Sequence, residues 1–153
     1  MRDDLYIVNT TPSNWRKLPL KDLVTFKKGK KLAEDATNNG KYLFFTEAQE
    51  TQRINEYSFD QEALPLTVAG ARHIKYCCGK FDTMEHVYFF SLEHKYIYWL
   101  FELIKNFIPI FDKMSRGVGI TGLDLKDAKN FEAPLLPDNL LNLFNKFAKP
   151  IQK

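Results

Sequence analysis

The chain has few cysteines, few histidines and little net charge, and each shortage closes off a class of function. Its 2 cysteines are neighbours, Cys77 and Cys78, so they neither clip a loop nor build a disulfide framework. A reducing compartment is the expectation, and with it a cytoplasmic location. The 3 histidines, His73, His86 and His94, combine with the cysteines in no short paired spacing of the kind structural zinc favours. No metal site is expected. A formal net charge of +3 permits binding to a polyanion without implying it.

Long hydrophobic runs are also missing. No apolar stretch of signal length follows Met1, and the longest apolar patch, residues 96–110, is interrupted by Glu102, Lys105, Asn106 and Pro109, so no membrane span is expected. There is no G-x-G-x-x-G turn, no Walker-type phosphate loop and no Asn-Pro-Pro-Tyr-like adenine pocket. Cofactor-dependent methylation is therefore not encoded here, and no cofactor is expected. No repeat, low-complexity tract or Gly/Ser linker divides the 153 residues, which leaves one domain.

What is present suits a globular core: 44% hydrophobic residues, with 13 Phe and 7 Tyr, against 27% charged. Residues 1–14 lack any period and read as a flexible arm, and the body, residues 15–153, begins at Trp15. Leu18, Leu20, Leu23, Val24 and Phe26 suit a turn or short helix feeding a strand that ends at Gly29. Residues 35–40 read as a turn and 42–45 as a buried strand, while the polar stretch 46–60 reads as a surface loop or short helix. Residues 64–68, 73–77 and 85–92, rich in aromatic and β-branched side chains, read as strands with Gly70 and Gly79 as turn points. Ile97, Leu100, Phe101, Ile104 and Ile108 recur on one helix face, which Pro109 is expected to end. Pro137 and Asp138 suit a helix start at about 137–153, with Leu140, Leu141, Phe144, Phe147, Ala148 and Ile151 on one face. The fold class expected is α+β, with a β-rich body, a buried helix and a C-terminal helix.

Three chemistries deserve weighing. Asp82 and the triplet Glu93-His94-Lys95 have the residue types that hold magnesium and orient water in a small nuclease, although Glu93 equally suits a helix start. The basic residues Lys27, Lys28, Lys30 and Lys31 flank Gly29, where ammonium groups and accessible backbone amides suit a phosphate backbone. Asn38, Asn39, Gln49, Gln52, Arg53, Arg72, Lys75 and Arg116 are of the types that read base edges. Arg72 and Arg116 rank first among these, because each adjoins a glycine-containing turn. A third possibility is a protein-interaction module whose Phe-rich C-terminal helix takes a partner without nucleic acid.

The order of motifs narrows the choice. Trp15, Leu20-Lys21-Asp22-Leu23, Lys28-Gly29-Lys30, the Tyr- and Leu-rich stretch 96–103, Gly117 to Leu123 and the proline-framed Pro134-Leu135-Leu136-Pro137 follow one another through residues 15–150. In that order they resemble one recognition unit of the DNA-specificity subunit of type I restriction-modification systems. Where many members carry a Glu-Gln pair after the second proline, this chain has Asp138-Asn139.

The resemblance implies a non-catalytic target-recognition domain that binds double-stranded DNA and directs adenine methylation and cleavage by separate modification and restriction subunits. It implies phosphate contacts from Lys27, Lys28, Lys30 and Lys31, and base reading by Arg72, Lys75, Arg116 and Arg53. Leu140, Phe144 and Phe147 would then meet a partner helix, with a homodimer as one arrangement. An excised unit, a truncated product and a half-subunit that pairs with its own copy all remain open.

Overall fold

The computed structural model describes residues 15–67, 72–118, 130 and 132–148, with the backbone alone at 110–118. In chain order the elements are β1 (Lys17–Pro19), α1 (Leu20–Leu23), β2 (Thr25–Lys28), a 3-10 turn (Ala33–Asp35), β3 (Tyr42–Phe45), β4 (Gln52–Ile54), β5 (Phe59–Thr67), β6 (His73–Ile74), β7 (Cys77–Thr83), β8 (Tyr88–Ser91), α2 (His94–Val118), β9 (Glu132–Pro134) and α3 (Asp138–Phe147). The class is α+β.

Nine-residue β5 is the organising strand, because its two halves pair with different neighbours. Its first half, Phe59 to Ala63, runs antiparallel to β7. Its second half pairs with β8 through Leu64, Pro65 and Leu66, and with β6 through Leu66 and Thr67. The full strand order is β2-β8-β5-β7-β3-β4, with β3 parallel to β7.

Alternation along β5 divides the interior. Leu64 and Leu66 join Ile97, Leu100, Ile104, Ile108 and Leu141 in one core, under α2. Ala63 joins Phe44, Phe45, Phe81, Val87 and Phe89 in another. The same switch occurs on β8, where Phe90 serves the first core and its neighbour Phe89 the second, as side chains of period 2 must. Edge-on packing of Phe81 and Phe89, with centroids 5.1 Å apart, ties β7 to β8.

The two ends of the described chain are clipped together. Strand β1 pairs with β9, and Leu135 N–H donates to the Arg16 carbonyl at 2.7 Å. Helix α3 then lies along α2: Leu141 is fully buried, and Asn145 Nδ2 donates to the Lys95 carbonyl at 3.0 Å.

Four local expectations change. Helix α2 passes through Pro109 and reaches Val118; the proline lies on an exposed position, so one lost hydrogen bond is outweighed by the buried stripe that continues to Ile108. The polar stretch 46–60 contains β4, whose single buried residue, Ile54, is too little periodicity to announce a strand. Gly79 is not a turn but lies inside β7, with φ +119°, a conformation open to glycine and strained for other residues. Gly117, expected to open a turn, is still helical; residues 119–123, Gly70 and the arm 1–14 lie outside the described residues.

Candidate nucleic-acid interface

The lysine run owes its position to a glycine with no room for a side chain. After β2 pairs with β8, the backbone crosses to the far end of β7, where Gly29 N–H donates to Thr83 Oγ1 at 2.6 Å. A Cβ on Gly29 would stand 2.0 Å from the Thr83 carbonyl oxygen. The expected accessible amide is therefore absent at Gly29: this residue is buried and its N–H is already bonded within the fold. Its role is close approach, not phosphate binding.

Beyond this crossing, Lys31 forms a bridge with Met84, and Glu85 N–H donates to the Lys31 carbonyl at 2.8 Å. Lys27, Lys28 and Lys30 are exposed on either side of the crossing, with the Lys28 ammonium 5.8 Å from the centre of the Tyr88 ring. Lys31 differs. Its ammonium pairs with Glu56 at 2.9 Å, and that hydrogen bond and charge raise its pKa. Beside it lies a hollow of about 200 Å³ lined by Lys31, Asp35, Thr37, Ile54, Asn55 and Glu56. Two carboxylates in the lining make this hollow a poor phosphate seat, which leaves the exposed lysines as the stronger cations.

A loop that starts beside this crossing is held at its other end by a second basic residue. Met84 N–H donates to the Phe45 carbonyl at 2.9 Å, and residues 46–51 leave directly from Phe45. At the far end of that loop Thr51 Oγ1 accepts from Lys75 Nζ at 3.0 Å. Lys75 thus holds the far end of the loop whose near end, at Phe45, is bonded to the Met84 that bridges Lys31.

The remaining base-reading candidates fare differently. Arg53 is turned to the opposite end of the β3–β4 pair, where its Nε and Nη2 donate to the Gly40 and Lys41 carbonyls at 3.0 and 3.2 Å. This guanidinium closes a turn. Arg72 is half-buried next to β6, and Arg116 falls in the last turn of α2, where only the backbone is described. Sequence reasoning missed the loop 46–51 as a partner of Lys75; the signal, two polar segments of no clear period, becomes meaningful only when the sheet brings them together.

The nuclease constellation does not assemble. Asp82 has no exposed surface, and its carboxylate accepts from Ser58 Oγ at 2.6 Å and from the Thr83 amide at 2.9 Å. A carboxylate committed in this way is not offered to a solvent-facing magnesium. Glu93 instead opens α2, with its carbonyl accepting the Tyr96 N–H at 3.0 Å. Lys95 lies over the Tyr96 ring at 5.0 Å and 4.0 Å from Asp138; the Tyr96 oxygen and Asp138 raise its pKa. Among the described residues no three His, Cys, Asp or Glu side chains gather as a metal site.

On the far side of the sheet, Glu62 clasps the start of α2. One of its oxygens lies 2.8 Å from His94 Nδ1 and the other accepts from the Tyr76 hydroxyl at 2.6 Å. Burial, then the Glu62 contact, pushes the Tyr76 hydroxyl far above its usual range, and burial does the same to the Cys77 thiol. Both groups stay protonated and structural, so neither is an activated nucleophile.

The C-terminal stripe divides into two. Phe144 is half-buried, packed against the core under α2. Leu140, Leu143 and Phe147 are exposed, Phe147 at 84%, and among the described residues no helix is long and apolar enough to cross a membrane.

The comparisons with known proteins agree with this architecture. The family model described as the type I restriction modification DNA specificity domain matches residues 12–139. The EcoDI type I restriction enzyme specificity subunit of Escherichia coli is 34% identical over 92 residues, which make up 58% of this chain and 21% of that protein. A type I S subunit from M. genitalium superposes with a TM-score of 0.70 at 14% identity, over 94% of this chain and 41% of that one. The HsdS subunit of Thermoanaerobacter tengcongensis gives 0.61 at 13% identity, over 96% and 42%. The structural likenesses speak to fold, and the chain spans less than half the length of each of these relatives. With most of its length covered by the family model and its topology shared, the chain belongs to the type I restriction-modification DNA specificity family.

Proposed function

We propose that this chain recognises a DNA sequence as one target-recognition unit and supplies no reactive centre of its own, while modification and restriction subunits in the cytoplasm methylate and cleave where it docks. The observation that carries this reading is the exposure of Lys27, Lys28 and Lys30 on either side of the Gly29 crossing, beside which the loop 46–51 leaves from Phe45, the residue bonded to the Met84 that bridges Lys31. Phosphate contacts position a duplex, and polar side chains in adjacent loops read it. Lys31, Arg72 and Arg116 border the same reading as secondary contributors, and Arg53 supports a turn.

The exposed Leu140, Leu143 and Phe147 suit a second helix, either from a modification subunit or from another copy of this chain. Selection of bound duplexes from a random pool, with and without a modification subunit, tests the reading. Enrichment of a short motif together with salt-sensitive affinity is the expected result. Magnesium-dependent cutting by the purified chain, or duplex binding indifferent to salt, overturns it.

A further inference from the structure

Resting on the DNA-reading function proposed above, we infer that the loop 46–51 is a base-reading element, with Gln49 as its adenine reader and Lys75 as the residue that positions it. The loop is built to hold one shape. Thr46 is buried and its hydroxyl accepts the Ala48 N–H at 3.1 Å, Gln52 Nε2 donates to the Glu50 carbonyl at 3.1 Å, and Lys75 pins Thr51 from the segment between β6 and β7. Its entry point, Phe45, is bonded to Met84, the bridge partner of Lys31. The loop therefore stands next to the lysine run, where a duplex held by those ammonium groups would present its groove.

The side chains it exposes are the wrong ones for a phosphate backbone. Glu47, Gln49 and Glu50 are exposed, and carboxylates beside phosphates repel them. An amide side chain, however, matches the adjacent donor and acceptor that adenine N6 and N7 offer in the major groove. Carboxylates nearby tolerate only bases that donate an amino group there, which are adenine and cytosine. Half-buried Lys75 commits an ammonium donor to Thr51. This gives it a positioning role in place of the base-reading role expected from sequence.

The test is selection of duplexes from a random pool by the full chain and its variants, followed by affinity measurement on the best duplex and on an unrelated one. Gln49→Ala is expected to lose preference at one adenine position and roughly tenfold in affinity for the best duplex, with the unrelated duplex and the salt slope unchanged. Gln49→Glu is expected to shift that position toward cytosine. Lys75→Met and Thr51→Val should blur the same position, and Lys75→Arg should restore it. An unchanged motif in Gln49→Ala, or equal losses on both duplexes, overturns the inference while leaving the function standing. A parent chain that enriches no motif overturns the function and the inference together.

Discussion

Under α2 the interior is closed by Ile97, Leu100, Ile104, Ile108, Leu64 and Leu66, a set chosen for shape and apolar area. Between β3, β7 and β8 the second core surrounds Phe44, Phe45, Phe81 and Phe89, and three of the chain's buried polar residues, Thr46, Asp82 and Thr83, belong to its strands or their ends. The first core is a scaffold that many apolar side chains could fill. Hydrogen bonds within the second fix where particular loops emerge: Thr83 holds Gly29, and Thr46 starts the loop that Lys75 completes. Directional bonds make this the core that sets the interface.

The comparison breaks most visibly through cavity formation. Leu100→Ala in the core under α2 is expected to cost about 2–5 kcal/mol in denaturant unfolding, while the folded fraction keeps its duplex affinity and salt dependence. A variant that folds yet loses affinity would show that the scaffold also shapes the interface.

Gly29→Ala is expected to cost about 3 kcal/mol, because the new methyl meets the backbone of Thr83 and the crossing has to shift. Unlike Leu100→Ala it should also weaken duplex binding by displacing Lys28 and Lys30, as fluorescence anisotropy would report. Asp82→Ala comes next at about 1–3 kcal/mol, since Ser58 and the Thr83 amide lose their acceptor. Retained duplex binding in this variant would confirm a structural duty for the carboxylate.

A pH titration sharpens the contrast further. The Tyr76 hydroxyl and the Cys77 thiol have raised pKa values in the fold, chiefly through burial, against ordinary values of 10.0 and 9.0. The unfolded chain releases these protons first, so stability is complete below pH 9 and declines as pH rises through and beyond that range. Denaturant midpoints across this range measure the decline, and Cys77→Ser should flatten its lower part. The smallest effect belongs to the surface: Lys28→Gln and Lys30→Gln should each reduce the slope of log affinity against log salt by about 0.9 where the lysine meets a phosphate, with no change in stability.

Helix α2 was legible in the sequence because five apolar residues repeat at helical spacing, and β3 because Tyr42 to Phe45 form an apolar cluster between polar neighbours. Strand β4 was hidden by its polar composition, and the continuation past Pro109 by a local rule that burial overrode. The lysine run was visible as a charge cluster, yet nothing local distinguishes Lys31, neutralised by Glu56, from exposed Lys30. In the same way Arg53 and Lys75 look like equivalent cations until one is seen closing a turn and the other pinning a loop.

By itself the amino-acid sequence determined the α+β class, the buried helical stripe, and the order of motifs that marks the family. These follow from hydrophobic period and composition, which act over a few residues. Tertiary structure alone decided which cations share a surface, because the division of β5 between β7 and β8 and the crossing at Gly29 bring together segments far apart in the chain. Side-chain charge is a property of a residue, but an interface is a property of distances, and those arise only when the sheet closes.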